Sequence, residues 1–250
     1  MLSIIISACN EEKSIIDLLD SILYQSYRNY EIIIIDSGST DDTVKVAKDF
    51  IEKSQDKMSK EMPILFKIIK SKERNISQQK NIGVKLSSGN ILLFIDADMK
   101  IPSEHFLYYF MKKLSKSNYI GAICRVKIGR GLKNRIASNI IDFFVFMQNF
   151  FMINTVRAGI HFIKKEYYNK IRGFNEKLFV VEDIDLYRRL NKHGSIYHEK
   201  KFFVLESDRR YKKDGYVKTI ATWTINSIWS FFFKEPFFTM SGNQSDDIFL

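Results

Sequence analysis

Over its first hundred residues the chain alternates short apolar runs with longer amphipathic ones. Ser3–Ser7, Glu31–Ile35, Ile64–Ile69 and Ile91–Ile95 have the length and composition of buried strands. Between them the apolar residues recur with a helical period. In Glu11–Tyr24, Ile15, Leu18, Leu19, Ile22 and Leu23 share one face, and Asp41–Ile51 and Ser77–Leu86 are further helical segments. This alternation predicts an α/β protein, a parallel sheet covered on both faces by helices.

The second half is less regular. Ser103–Leu114 and Glu182–Lys192 read as helices, and Tyr119–Ile128, Arg157–Ile163 and Ser195–Leu205 as strands. Ile136–Ile153 is apolar almost all round, broken by Asn139, Asp142, Gln148 and Asn149, so as a helix it is either buried or laid against lipid. Tyr216–Phe238 carries Trp223, Trp229, Phe231, Phe232, Phe233, Phe237 and Phe238 between Lys218 and Lys234. That is the composition of an interfacial helix, and equally of an aromatic helix closing the core or a dimer face. No repeat or linker is visible, and the one soft boundary lies near Ile101-Pro102.

Chemistry collects where strands end. The apolar run Asn90–Ile95 stops at Asp96-Ala97-Asp98, and burying unpaired carboxylates is unfavourable. Ligands of open α/β sheets bind beyond the carboxyl ends of the strands. Two hard oxygen donors there suit Mg²⁺ or Mn²⁺, although a turn or a helix cap also uses such acids. Cys9-Asn10-Glu11-Glu12 and Asp36-Ser37-Gly38-Ser39 likewise follow strands, so the three segments predict one crevice edge.

Composition narrows the classes. With 250 residues, 45% hydrophobic and 14% aromatic, the chain is neither disordered nor fibrous. A net charge of +10 favours an anionic partner, a nucleotide, lipid head group or nucleic acid, while plain surface lysines account for much of the same excess. Cys9 and Cys124 sit in apolar runs without metal spacing, which fits unpaired thiols and a reducing cytoplasm. The start Met1-Leu2-Ser3-Ile4 lacks a basic region, so no signal peptide is expected. No uninterrupted apolar run has the roughly 18 residues of a spanning helix.

The order of these motifs resembles the inverting family-two glycosyltransferases of the GT-A fold. The resemblance rests on Cys9-Asn-Glu-Glu12, Asp36-Ser-Gly-Ser-Thr-Asp-Asp-Thr43, Asn81-Ile-Gly83 and Phe94-Ile-Asp-Ala-Asp98, then Gly173-Phe-Asn-Glu176, Glu182-Asp-Ile-Asp-Leu186 and Arg189-Leu190. It covers roughly residues 3–210. It implies a nucleotide-diphospho-sugar transferase fold, with residues 1–100 as the nucleotide half, 101–210 as the acceptor half and 211–250 as a basic, aromatic helical extension.

The resemblance also implies roles. Asp36 would accept a hydrogen bond from the nucleobase, unless it caps the next helix; Ser39 or Asp41 could cap instead and free it. Ala8, Asn10 and Glu11 would line the base and ribose, and Glu12 would favour a helix start. Arg74 and Lys80 would neutralise diphosphate; for Lys80 a solvated lysine is the competing reading, and relatives often carry Arg at its place. Gly83 would permit close helix packing or nucleotide approach. Asp98 would bind Mg²⁺ or Mn²⁺ directly, with Asp96 nearer the ribose, and His198 is a weaker ligand candidate. Asp183 would be the general base and Glu182 would orient the acceptor, with exchanged roles for the pair left open, while Asp185 suits helix-dipole work. Arg209 and Arg210 would clamp the diphosphate, or else belong with Lys212 and Lys213 to a solvated basic face. Departures are Ala8-Cys9 where many relatives have Pro or Tyr nearby, Ser87 for Ala, and Arg172 at the first Gly of a usual Gly-Gly-Phe. The missing Gln-x-x-Arg-Trp disfavours processive polysaccharide synthesis.

The function expected is metal-dependent, inverting transfer of a sugar from a nucleoside-diphosphate sugar to a glycan or lipid-linked acceptor. The apolar helix, aromatic tail and basic charge point to peripheral membrane contact; the location expected is cytoplasmic, with the inner face of the cell membrane as the place of that contact. A catalytically inactive nucleotide-binding relative is the alternative. A nucleotidyltransferase would want a Gly-rich phosphate loop, which Ala8-Cys9-Asn10-Glu11 does not offer. A nucleic-acid-binding protein explains the charge but not acids at strand ends, so no nucleic acid is expected. Donor base, sugar, acceptor and oligomeric state are not legible.

Overall fold

The computed structural model describes residues 1–55, 64–71, 75–150, 159–178 and 181–232. Four buried apolar segments form the parallel half of one sheet. β1 (Leu2–Ala8) lies between β2 (Tyr30–Asp36) and β4 (Ile91–Asp96), and β3 (Leu65–Lys70) pairs with β2 at the edge. The second half adds β5 (Met99–Lys100), β6 (Gly121–Ile128), β7 (Ile160–Lys164) and β8 (Ile196–Glu206), giving the order β3-β2-β1-β4-β7-β6-β8-β5. The sheet is mostly parallel, as the GT-A resemblance implies, and β6 runs parallel to β8. β7 runs antiparallel to β4 and β6, and β5 antiparallel to β8. Apolar pattern specifies burial and not strand direction, so the reversal could not be read from it.

Alternate residues of the central strands feed two cores, as a two-residue side-chain period requires. Ile4, Ile6, Leu93 and Ile95 pack with α1 (Ile15–Leu23), α2 (Thr43–Gln55) and α4 (Phe106–Ser115). On the other face, Ile5, Leu92 and Phe94 pack with α3 (Ile76–Lys85), α6 (Lys165–Lys170) and α7 (Glu182–Leu190). Gly83 serves this second layer. A Cβ there would stand 2.4 Å from Ile5 Cγ2, so a bare backbone lets α3 close on β1. Asn75 starts α3 by accepting from the N–H groups of Ser77 and Gln78.

α1 begins four residues later than its pattern suggested. The N–H of Glu11 is bound by Thr43 Oγ1 at 2.8 Å and that of Glu12 by Asp41 Oδ2 at 3.2 Å, which holds these residues as a loop. Glu12 is thus a loop staple, its carboxylate accepting from Asp42 N–H.

Beyond β8, α8 (Arg209–Asp214) turns into α9 (Tyr216–Phe232), which packs on α5 (Leu132–Phe150). Ile128, Ala137, Ile141 and Tyr211 form a small separate core with Ile220 and Trp223 against it. Trp223 therefore packs on the protein, and Phe233, Phe237 and Phe238 lie outside the described residues. Among the described residues no helix is long and apolar enough to cross a membrane.

Candidate active site

Because β1, β2 and β4 are adjacent and parallel, their acid-bearing ends converge. Ala8 pairs with Asp36, and Ser7 with Asp96. The loops beyond β1 and β2 are zipped together. Asn10, at φ 56°, accepts from Thr40 N–H at 2.9 Å, and its own N–H donates to Ser39 Oγ. The carbonyl of Ala8 accepts from Ser37 N–H at 3.0 Å. These bonds make Ala8 and Asn10 the frame of the crevice edge.

Asp36 is buried, and both its oxygens are engaged. Oδ2 accepts from the N–H groups of Gly38 and Ser39, and Oδ1 from Ser39 Oγ. Asp41 does cap α2 through Thr43 N–H, yet this does not free Asp36. Any nucleobase donor would have to share a carboxylate already holding its own turn.

Across the crevice stands an acidic cluster. Asp98 lies between β4 and β5, its carbonyl accepting from Ser207 N–H at 2.9 Å, and the β5–β8 ladder sets Glu206 opposite Met99. Burial raises the Asp98 carboxyl to about 8, helped by the charges of Glu206 and Asp96 and opposed by Arg210. Asp96 is raised as well, by burial against the pull of Lys80. Arg210 is exposed, yet its charge acts on Asp98, Glu206 and Asp96. Arg209 is drawn away to Glu11, forming an ion pair and also donating to the Asn10 carbonyl. Burial raises the Glu11 carboxyl in spite of this arginine. The two arginines thus reach one crevice from α8, at different acids.

Two carboxylates are the donor type that a hard divalent cation takes. Asp98 and Asp96 offer such oxygens, with Arg210, Lys80 and His161 acting on them, and among the described residues no three acidic, histidine or cysteine side chains are gathered to hold a metal ion. Glu206 belongs to the same cluster. The apolar run Phe202–Leu205 ending in Glu206 is the same sequence signal that Asp36 and Asp96 gave. His198 sits at the opposite end of β8 and is exposed, away from the cluster.

A second group of charges lies on the α7 side of the sheet. Lys80 is 2% exposed and its Nζ stands 3.0 Å from both Glu182 Oε1 and Asp183 Oδ1. It is no solvated lysine, and its ammonium is bound by this carboxylate pair. Burial opposes its charge, but Asp183, Glu182 and Asp96 hold its pKa well above the usual lysine range. One cation cannot satisfy two buried acids equally. Burial and the charge of Asp183 push Glu182 up, whereas His161 and Lys80 outweigh burial at Asp183 and hold it low. Asp183 is the more readily ionised member of the pair. Asp185 instead pairs with Arg189 one turn on, as helix work predicts.

The motif Asn81-Ile82-Gly83 and the segment Gly173–Glu176 bind each other. Asn81 Nδ2 donates to the Phe174 carbonyl and to Glu176 Oε1, while its Oδ1 accepts from Phe174 N–H and Tyr168 Oη. Arg189 Nη1 donates to the carbonyls of Ile171 and Gly173, both at 2.7 Å. The segment leading to Glu182 is thereby anchored to both α3 and α7. Arg172, at the place of the usual first Gly, has φ 62°, the left-handed backbone that Gly adopts freely. Arg74 lies outside the described residues.

A mostly parallel sheet whose acid-bearing strand ends face arginines of α8, with a carboxylate pair opening α7, is the GT-A fold of glycosyltransferases. The profile of Glycosyl transferase family 2 matches residues 3–189, and the chain belongs to that family of glycosyltransferases. It is 22% identical over 222 residues to glycosyltransferase GlyA of Streptococcus pneumoniae, covering 86% of this chain and 27% of GlyA. Two solved structures share its fold. A mannosyltransferase of Pyrobaculum calidifontis in complex with GDP-Man and Mn²⁺ is 16% identical, with a TM-score of 0.68 over 92% of this chain and 64% of that one. Staphylococcus aureus TarS in complex with UDP-GlcNAc is 17% identical, with a TM-score of 0.65 over 92% and 71%. The chain spans about a quarter of GlyA's length and 58 to 64% of the two curated relatives after it.

Proposed function

We propose that this glycosyltransferase moves one sugar, with inversion, from a nucleoside-diphosphate sugar to an acceptor hydroxyl. The observation that carries this is the pairing of two separate carboxylate sites, Asp96 and Asp98 at the strand ends and Glu182 and Asp183 at the start of α7. The first suits the donor's diphosphate and the second the acceptor. Single-step inversion needs both, on opposite sides of the anomeric carbon.

Ala8, Asn10, Glu11 and Asp36 frame the base and ribose. Asp98, with Asp96 beside it, would hold Mg²⁺ or Mn²⁺, which supplies Lewis-acid charge to the diphosphate leaving group. Arg209 and Arg210 meet the same negative charge. Asp183 takes the proton of the acceptor hydroxyl; the acceptor oxygen bonds to the anomeric carbon as the bond to the diphosphate oxygen breaks. Glu182, which shares the Lys80 ammonium with Asp183, would orient the acceptor. The GDP-Man and UDP-GlcNAc held by the two structural neighbours support a sugar-nucleotide donor.

The test separates the two sites. Asp98→Ala should abolish Mn²⁺-dependent donor binding by calorimetry, and Asp183→Asn should bind donor normally while releasing no nucleoside diphosphate. Equal loss of donor binding in both variants would contradict these roles.

A lipid-linked acceptor is favoured by one further feature. Leu132, Ile136, Ile140 and Phe143 form an exposed apolar stripe along α5, and Arg130, Lys133 and Arg135 border it. Apolar residues edged by cations suit an anionic membrane surface. The protein should float with vesicles rich in anionic lipid at low salt. No flotation under those conditions would count against membrane contact and a lipid-linked acceptor together.

A further inference from the structure

One buried side chain beside the carboxylate pair has no evident structural use. His161 sits on β7 opposite Phe94, in the apolar run Ile160–Ile163, and is fully buried. Its ring lies 5.1 Å from that of Tyr187. Neither ring nitrogen makes an aligned hydrogen bond, and the close polar contact recorded for it is Nε2 to Asp183 Oδ1 at 3.1 Å. The distance is that of a hydrogen bond with the N–H direction poorly aimed. A buried imidazole in this state is worse for stability than an aliphatic residue of similar size. A position that keeps it at such a cost points to chemistry.

The geometry says which chemistry. Lys80 Nζ stands 3.0 Å from the same Oδ1 that His161 approaches. Both cationic or N–H-bearing groups thus crowd one oxygen of Asp183. Among the described residues no hydrogen bond is recorded to the other, Oδ2. A carboxylate held by one oxygen keeps the second in a fixed direction, which is what a base needs in order to meet a hydroxyl proton.

We infer that His161 is a positioning residue, which with Lys80 holds Oδ1 of Asp183 so that Oδ2 is presented to the acceptor hydroxyl. The inference rests on the reading of Asp183 as general base. His161 touches neither donor nor acceptor and acts only through Asp183. The 3.1 Å approach of Nε2 to a carboxylate oxygen calls for the proton on Nε2, since two acceptors repel at that distance.

Three variants and one spectrum test this. His161→Leu should fold with a Tm equal to or above that of the parent and bind the sugar nucleotide with unchanged KM. Its kcat for release of nucleoside diphosphate should fall roughly ten- to hundredfold, the scale of a misaimed reacting group. His161→Gln, whose amide places an N–H near that of Nε2, should recover most of the loss. A His161→Leu enzyme with parental kcat, or one whose Tm and kcat fall together with no recovery in His161→Gln, overturns the inference. The long-range ¹H–¹⁵N spectrum of the imidazole needs no substrate. It should show the Nε2-protonated tautomer in the parent and a shifted His161 signal in Asp183→Asn. A His161 signal unmoved by Asp183→Asn also overturns the inference, whereas failure of the parent to bind any sugar nucleotide would instead overturn the transferase reading.

Discussion

Replacing Lys80 with Met puts the electrostatic account of the α7 site at risk. The parent holds one ammonium between two buried carboxylates, 3.0 Å from each. Met fills much of the same volume and removes the charge, so Glu182 and Asp183 lose the ammonium they share, and His161 alone stays beside Asp183. Breaking a buried ion pair by deleting one partner costs about 3–5 kcal/mol. For a 250-residue chain the unfolding entropy near the midpoint is about 0.5 kcal/mol per kelvin, so Tm should fall by about 6–10 °C. The loss should depend on pH in a defined direction. The folded pKa of Asp183 lies below its unfolded value, so its contribution is full above about pH 5 and is lost as the pH falls through the folded value. The folded pKa of Lys80 lies above its unfolded value of about 10.4, so its share is full below that and is lost only as the pH rises through the folded value. Urea denaturation at pH 3, 7 and 9 should therefore show a gap between parent and Lys80→Met that is large at pH 7 and 9 and narrower at pH 3. Adding Glu182→Gln and Asp183→Asn to Lys80→Met should restore most of the stability and none of the activity. A Lys80→Met protein within about 1 kcal/mol of the parent at pH 7, or a gap that does not change with pH, would refute the reasoning.

Other consequences are simpler to check. Arg172→Gly relieves a side-chain-bearing residue of left-handed backbone at φ 62°, and should raise stability by about 1 kcal/mol, or Tm by about 2 °C, in a thermal melt. Asn81→Ala strips partners from Phe174 N–H, Tyr168 Oη and Glu176, and should lower stability by about 2–3 kcal/mol in urea denaturation. Paired Ile136→Glu and Phe143→Glu change exposed side chains on α5, and should abolish flotation with anionic vesicles while leaving Tm within a few degrees of the parent.

Much of the fold was open to reading because its first half obeys simple periods. The apolar runs of β1, β2 and β4 and the faces of α1 and α3 fall where the pattern placed them, within a few residues. The late start of α1 was hidden because Glu11 and Glu12 are good helix-start residues, and only the contacts from Asp41 and Thr43, some thirty residues on, hold them as loop. The antiparallel β7 and the two-residue β5 were hidden because neither direction nor a strand that short leaves a period. At the site, Asp36, Asp96 and Asp98 announced themselves as acids ending apolar runs. Glu206 ends the apolar run Phe202–Leu205 in the same way. Lys80 shows its charge in the sequence, but its partners lie about a hundred residues away and no local pattern names them. His161 had the faintest mark, a single polar residue inside a strand, whose meaning depends on Asp183 being brought beside it.

The central claim is a sugar-nucleotide donor bound through a divalent metal at the β4 end. The most direct measurement is a thermal-shift panel of UDP-, GDP-, CMP- and dTDP-sugars on the parent protein, each with Mn²⁺ and with chelator. Stabilisation by the sugars of one nucleotide is expected, present with Mn²⁺ and lost with chelator or in Asp98→Ala. Stabilisation that is equal with and without metal, or that survives in Asp98→Ala, would contradict it.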